Sequence, residues 1–137
     1  MPSLSVHAGG LDLKNPVLLA AGILGTTGAS LCRASRAGAG GVVTKSIGSV
    51  PRAGHPGPCI VHVDCGLINA MGLPNPSYKD FQAEIDAARK GGVPVIASIF
   101  ASSAEEFAQI SRNLDADALE LNLSCPHAEK YGSELGR

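Results

Sequence analysis

Neither sign of charge prevails in this chain: 11 lysines and arginines stand against 12 acidic residues, a formal net charge of −1. There is no basic run, and aromatic residues make up only 4% of the chain. Without a positive patch or stacking platforms, the sequence has no footprint for nucleic acid. No stretch reaches the ~18 consecutive apolar residues of a membrane-spanning helix. Met1-Pro2-Ser3-Leu4 lacks the charged-then-apolar pattern of a signal peptide. These absences predict a cytoplasmic protein with no membrane or nucleic-acid partner. The 45% hydrophobic share of the 137 residues excludes a generically disordered chain and suits one globular unit with a core.

No Cys-x-x-Cys pair occurs among Cys32, Cys59, Cys65 and Cys125, so free thiols are expected. Cys59-x-x-His62-x-x-Cys65 has ligand-like spacing. In an extended strand, however, Cys59 and Cys65 would face one side and His62 the other. Two packed thiols and a surface histidine are the expectation, and no metal site is assigned.

What is present is a repeating order of strand and helix signals. Leu4 to His7 and Leu11 to Leu13 alternate apolar and polar residues around Ala8-Gly9-Gly10, a hairpin signal. After Asn15-Pro16, Val17 to Ala20 is an apolar run of parallel-strand type. It exits into Ala21-Gly22, either a plain turn or a place where a flat ligand can approach the backbone. Ala29 to Ala37 reads as a short helix ended by Gly38. Val42 to Thr44 is a second buried strand, exiting into Lys45-Ser46, where the lysine is either solvated or an anion and cofactor contact. Residues 47 to 75 form a long connection with a β-like piece from Ile60 to Val63. Such connections are uncommon unless functional, and Gly66 to Asn75 suits a loop folded over a small polar ligand.

Asn75 can cap the next helix with Pro76 at its first position. Tyr78, Phe81, Ile85 and Ala88 then recur at helical spacing as a core stripe, ended by Gly91-Gly92. Pro94 to Ser98 is a third buried strand. Ser103-Ala104-Glu105-Glu106 is a capping-box pattern that opens a helix with Phe107, Ile110 and Leu114 on one face. Ala118 to Leu121 is a fourth strand, expected to be largely buried. It runs into Asn122-Leu123-Ser124-Cys125-Pro126-His127, where an amide, a hydroxyl, a thiol and an imidazole lie within six residues.

Small or polar groups thus stand at every strand exit, the face on which a β/α barrel builds its site. Four strands are half of such a barrel, since closure takes eight strands and about 250 residues. The expected fold is α/β, the first half of a β/α (TIM) barrel, with residues 1–137 the N-terminal part of one domain in a longer protein. Cys125 is the candidate reactive group, because a thiol of lowered pKa can act as a general base.

Asn122-Leu-Ser-Cys-Pro-His127, Asn69-Ala-Met-Gly-Leu73, Thr44-Lys-Ser46 and Asn15-Pro-Val-Leu-Leu-Ala-Ala-Gly22, in that arrangement, resemble the class 1 dihydroorotate dehydrogenases, the 1B type most closely. The resemblance runs from about Leu4 to Arg137. It implies a β/α barrel that holds FMN at the C-terminal ends of its strands and oxidises dihydroorotate to orotate in pyrimidine synthesis. It would place Ala21, Gly22, Lys45, Ser46, Ser98 and Asn122 against FMN. Lys45, Asn122 and the run Asn69, Ala70, Met71, Gly72 and Leu73 would hold the substrate. Cys125 would take a proton from C5 as C6 gives a hydride to the flavin. Two positions depart from the family pattern: Ser98 stands where an Asn is common, and His127 replaces the usual Asn after Ser-Cys-Pro.

The same resemblance implies a homo-oligomer and a partner subunit carrying FAD and an iron–sulfur cluster. Two rival readings are a related flavin barrel acting on another dihydropyrimidine and an inactive half-barrel module. The Asn69 to Asn75 loop and the lack of basic charge favour a free pyrimidine carboxylate over a tRNA base.

Overall fold

The computed structural model describes residues 3–123. Cys125 and His127, and Ser124 between Leu123 and Cys125, lie outside the described residues. The chain begins with the antiparallel hairpin β1 (Val6–Ala8) and β2 (Leu11–Leu13). Its two-residue turn needs positive φ at both positions, and Gly9 and Gly10 supply it at 58° and 81°. Strand β3 (Leu18–Leu19) then leads through a 3-10 turn at Ile23–Gly25 into helix α1 (Gly28–Arg36). β4 (Gly41–Val43) follows. A second hairpin, β5 (Ile60–Val63) and β6 (Gly66–Asn69), interrupts the chain before α2 (Tyr78–Arg89). The order closes with β7 (Val95–Ile99), α3 (Ala104–Asn113) and β8 (Ala118–Leu121).

β3, β4, β7 and β8 form one parallel sheet, and their spatial order is their chain order. Each strand–helix unit therefore adds its strand to the same advancing edge. That is the winding of a barrel segment, whereas a doubly wound sheet reverses direction at a switch point. The core is the layer between sheet and helices. Val42, Val95, Ala97 and Ile99 meet Leu31, Phe81, Ile85 and Ile110, all nearly or fully buried. The helical stripe Tyr78, Phe81, Ile85 and Ala88 faces this layer, as its spacing predicts.

Three readings of the sequence change. Gly66 to Asn69 is a strand, because its backbone pairs with Ile60 to Val63 around the turn Asp64-Cys65. That turn leaves Cys65 exposed, so it is not a packed thiol, and the chain is not extended from Cys59 to Cys65. Asn75 does not cap α2. Ser77 does, its hydroxyl accepting the Lys79 N–H at 3.2 Å, and Pro76 falls outside the helix. Finally, β8 is mostly exposed, because among the described residues nothing lies beyond it at the edge of the sheet. Among these residues no helix is long and apolar enough to cross a membrane.

Candidate active site at the strand exits

The C-terminal ends of β4, β7 and β8 bring three polar side chains into one row. Asn122 Nδ2 donates to Ser46 Oγ at 3.1 Å, and Ser46 Oγ shares a hydrogen bond with Ser98 Oγ at 3.1 Å. These contacts join residues 76 and 52 positions apart in the chain. Ser98 is fully buried and Ser46 nearly so, whereas Asn122 is half-buried at the rim. The row therefore has an inner hydroxyl pair and an outer amide.

A bulge sets the row in place. Val43 pairs with Ile96, and the next pairing along the strands is Ile47 with Ile99. β4 thus carries one more residue than β7 between the two pairings, the signature of a β-bulge. Thr44 makes this possible: its Oγ1 accepts the Ser98 N–H at 3.0 Å, in place of a backbone carbonyl. The ladder then resumes with Ile47 N–H donating to Ser98 O and Phe100 N–H to Ile47 O. Bulges of this kind re-aim side chains beside active sites, and this one re-aims Lys45 and Ser46. Thr44 belongs to the Thr44-Lys-Ser46 motif, but its hydrogen bond to Ser98 is not legible in the sequence, since the partner strand lies 54 residues away.

The exit of β3 adjoins this bulge. Lys45 N–H donates to Gly25 O at 2.8 Å, and a Cβ on Gly25 would lie 2.5 Å from Lys45 N, so only glycine fits there. Ala21 and Gly22, both half-buried, precede that turn, and a Cβ on Gly22 would meet nothing within 4 Å. Gly22 thus has open space beside it, and Lys45, half-buried, immediately precedes Ser46 of the hydroxyl row.

The Asn69–Leu73 run is held by a separate set of contacts. It starts at the end of β6, where Asn69 and Ala70 are exposed, passes through half-buried Met71 and Gly72, and ends on buried Leu73. Ala70 N–H is held by Cys59 O at 2.9 Å, and Met71 O accepts the His55 N–H at 2.9 Å. Asn75 links this run to the segment after β4, because its Oδ1 accepts the N–H of Gly48, two residues beyond Ser46, at 3.1 Å. The Ser77-x-x-Asp80 pattern is the signal that identifies Ser77 as the cap and leaves Asn75 for this task. Of the positions singled out in the sequence, Ser46, Ser98 and Asn122 are thus in direct contact. Lys45 immediately precedes Ser46, Ala21 and Gly22 precede the turn whose Gly25 O accepts the Lys45 N–H, and Asn69 to Leu73 are tied to the segment after β4 through Asn75; Cys125 lies outside the described residues.

Among the described residues, Glu106, Arg89 and Asp115 have pKa values displaced from the ordinary range, and none of them belongs to the Ser46–Ser98–Asn122 row. Burial pushes the Glu106 carboxyl up, but hydrogen bonds from Ser102 N–H and from the hydroxyls of Ser49 and Ser102 more than offset it. Asp115 is held low and Arg89 high, chiefly by their mutual hydrogen bonds of 3.0 Å. That pair lies next to Asp117, whose carboxylate accepts the N–H of Val95, the first residue of β7. It therefore stands at the opposite end of the sheet from the Ser46–Ser98–Asn122 row, where barrels keep stabilising contacts.

A family model described as dihydroorotate dehydrogenase matches residues 3–137. Three relatives share the name dihydroorotate dehydrogenase B (NAD(+)), catalytic subunit. The protein from Methanocella arvoryzae is 58% identical over 134 residues, covering 97% of this chain and 44% of its own length. That from Pyrococcus furiosus is 50% identical, covering 98% and 45%. That from Methanocaldococcus jannaschii is 45% identical, covering 98% and 46%. The chain spans less than half the length of the curated relatives that it matches.

Proposed function

The chain belongs to the dihydroorotate dehydrogenase family, and from that premise we propose that it forms the N-terminal part of a flavin-dependent β/α barrel that oxidises dihydroorotate to orotate. The observation that carries this reading is the convergence of Ser46, Ser98 and Asn122 from three successive parallel strands. Side chains gathered at the carboxyl ends of such strands are how this architecture builds a site.

These strand exits suit FMN. Flat heteroaromatic rings with imide edges need close backbone approach on one side and neutral hydrogen-bonding groups on the other. Gly22 leaves open space for the first, and the Ser46 and Asn122 side chains supply the second. Ser98, being fully buried, acts by holding the Ser46 hydroxyl in place. Bound FMN would supply the acceptor for the hydride that leaves C6 of the substrate.

The chain's own residues do the rest. Lys45 provides a positive charge for the substrate's carboxylate, and Asn122 orients the ring from the rim of the row. Backbone groups and the amide of the Asn69–Leu73 run read the pyrimidine edge. Cys125 as thiolate takes the C5 proton, so the hydride and proton leave from adjacent carbons and the C5–C6 double bond forms. A two-electron oxidation needs an onward acceptor, and the B-type naming of the relatives supports a separate electron-transfer subunit.

The full-length protein tests this directly. It is expected to purify yellow and to form orotate from dihydroorotate, with dihydrouracil turned over far more slowly. A colourless, flavin-free protein overturns the reading, and preferential turnover of dihydrouracil moves it to the related dihydropyrimidine enzymes.

A further inference from the structure

Asn75 has no part in the chemistry above, yet its side chain is nearly buried and every polar atom of its amide is engaged. Oδ1 accepts the N–H of Gly48 at 3.1 Å and of Ser77 at 3.0 Å, and Nδ2 donates to Leu73 O at 3.0 Å. Its backbone adds a two-way bridge to Arg52, with hydrogen bonds of 3.0 and 2.8 Å.

The residues that it holds are unusual. Among the described residues, Leu73 (φ 54°) and Ser77 (φ 90°) are the non-glycine residues in the left-handed region. Backbone of this kind persists only where the surroundings over-determine it, and it gathers at ligand clamps. One amide bonds both strained residues and also fixes the backbone just beyond Ser46. A plain surface turn would need none of this, since glycine at position 73 would adopt the conformation without support.

We propose that Asn75 is a positioning residue: it holds the Met71-Gly72-Leu73 backbone in its ligand-reading conformation and sets that backbone's distance from Lys45 and Ser46. The proposal rests on the assignment of that run to the substrate. Loss of the Asn75 side chain lets Leu73 relax and the Met71–Leu73 backbone drift, while Ser46, Ser98 and Asn122 keep their own hydrogen bonds.

The test uses the full-length, FMN-loaded enzyme and orotate as ligand, followed by the change in flavin absorbance on titration. Asn75→Asp keeps the acceptor for Gly48 and Ser77 but sets a carboxylate oxygen against Leu73 O. At pH 8 its orotate affinity is expected to fall about tenfold relative to wild type, the worth of one such hydrogen bond. The ratio of variant to wild-type Kd should return towards one as the pH falls and the introduced carboxyl protonates, because it then donates to Leu73 O again. KM for dihydroorotate should rise while kcat stays nearly constant. An unchanged affinity at pH 8, or a loss that lower pH does not relieve, overturns the proposal. Asn75→Ala provides a second measurement should the first variant not load flavin: a raised KM with kcat retained supports the role, and an equal fall in kcat and kcat/KM overturns it. A wild-type enzyme that holds FMN but shows no spectral response to orotate overturns the functional assignment instead, before any variant is compared.

Discussion

At the scale of single residues, the decisive prediction concerns Cys125. It follows Asn122 and Ser124 and precedes Pro126, a polar setting that Cys32, Cys59 and Cys65 lack. Cys125→Ala is expected to leave flavin binding intact and to slow flavin reduction by dihydroorotate about 10²–10⁴-fold, the usual cost of losing one general base. Cys125→Ser should retain slightly more, and its rate should rise with pH along a limb displaced from wild type's. Stopped-flow reduction across pH measures both, and full-rate reduction in Cys125→Ala means that another group takes the proton. Ser98→Ala is a milder change. It removes the hydroxyl beneath Ser46 and is expected to weaken FMN retention by less than about tenfold, one neutral hydrogen bond, as read by flavin dissociation. The contrast between these residues shows what the sequence makes legible. Lys45, Ser46, Ser98 and Asn122 stand out because each directly follows or ends an apolar run. The bonds that Thr44 and Asn75 make are not legible there, since their partners Ser98 and Gly48 come from distant segments of the chain.

At the scale of elements, the helices were readable where their ends carry capping chemistry. Ser103 caps α3 as its spacing to Glu106 predicts, with Ser103 Oγ accepting the Glu106 N–H at 3.2 Å. The Glu106 carboxylate departs from the reciprocal pattern: it takes the N–H and hydroxyl of Ser102 and the hydroxyl of Ser49. It thereby ties α3 to the segment that follows the bulge. Its pKa is lowered from 4.5, so its contribution to stability is fully present above that value and fades as the pH drops through the lower, folded one. Glu106→Gln is therefore expected to destabilise the protein near pH 7, with the difference from wild type narrowing below pH 4.5. Denaturant unfolding at a series of pH values measures it. The β5–β6 hairpin was half legible. Ile60 to Val63 reads as a strand, but Asp64-Cys65 is not a preferred turn pair, so its partner strand is recognisable only from the pairing itself. An exposed two-stranded hairpin is marginal by itself, and its amides are expected to exchange with solvent far faster than those of β7, which is paired on both sides.

At the scale of the whole molecule, the sequential parallel sheet has two open edges among the described residues, and both are apolar on the side that carries the helices. At one edge, Leu119 and Leu121 pair in register with buried Ala97 and Ile99, so they extend the helix-facing surface, yet they are 38% and 51% exposed. At the other, a groove of about 930 Å³ opens between β3 and α1, lined by Pro16, Leu18, Leu19, Leu24 and Ala37. Further strand–helix units added in the same direction would cover the first edge and, on closing a barrel, return to fill the second. This leads to a paired prediction. Residues 1–137 produced alone are expected to self-associate, because unpaired edges and exposed leucines invite it. Leu119→Lys with Leu121→Lys should reduce that association. In the full-length protein the same double change should have the opposite consequence. There the two leucines are expected to be buried beneath the next helix, so charging them should destabilise the fold by about 2 kcal/mol or more. Sedimentation of the segment and thermal unfolding of the full-length protein read the two arms. A monodisperse segment, together with a full-length protein indifferent to the lysines, would mean that β8 is a true surface edge. The chain would then be a self-contained half-barrel module rather than the opening half of an enzyme.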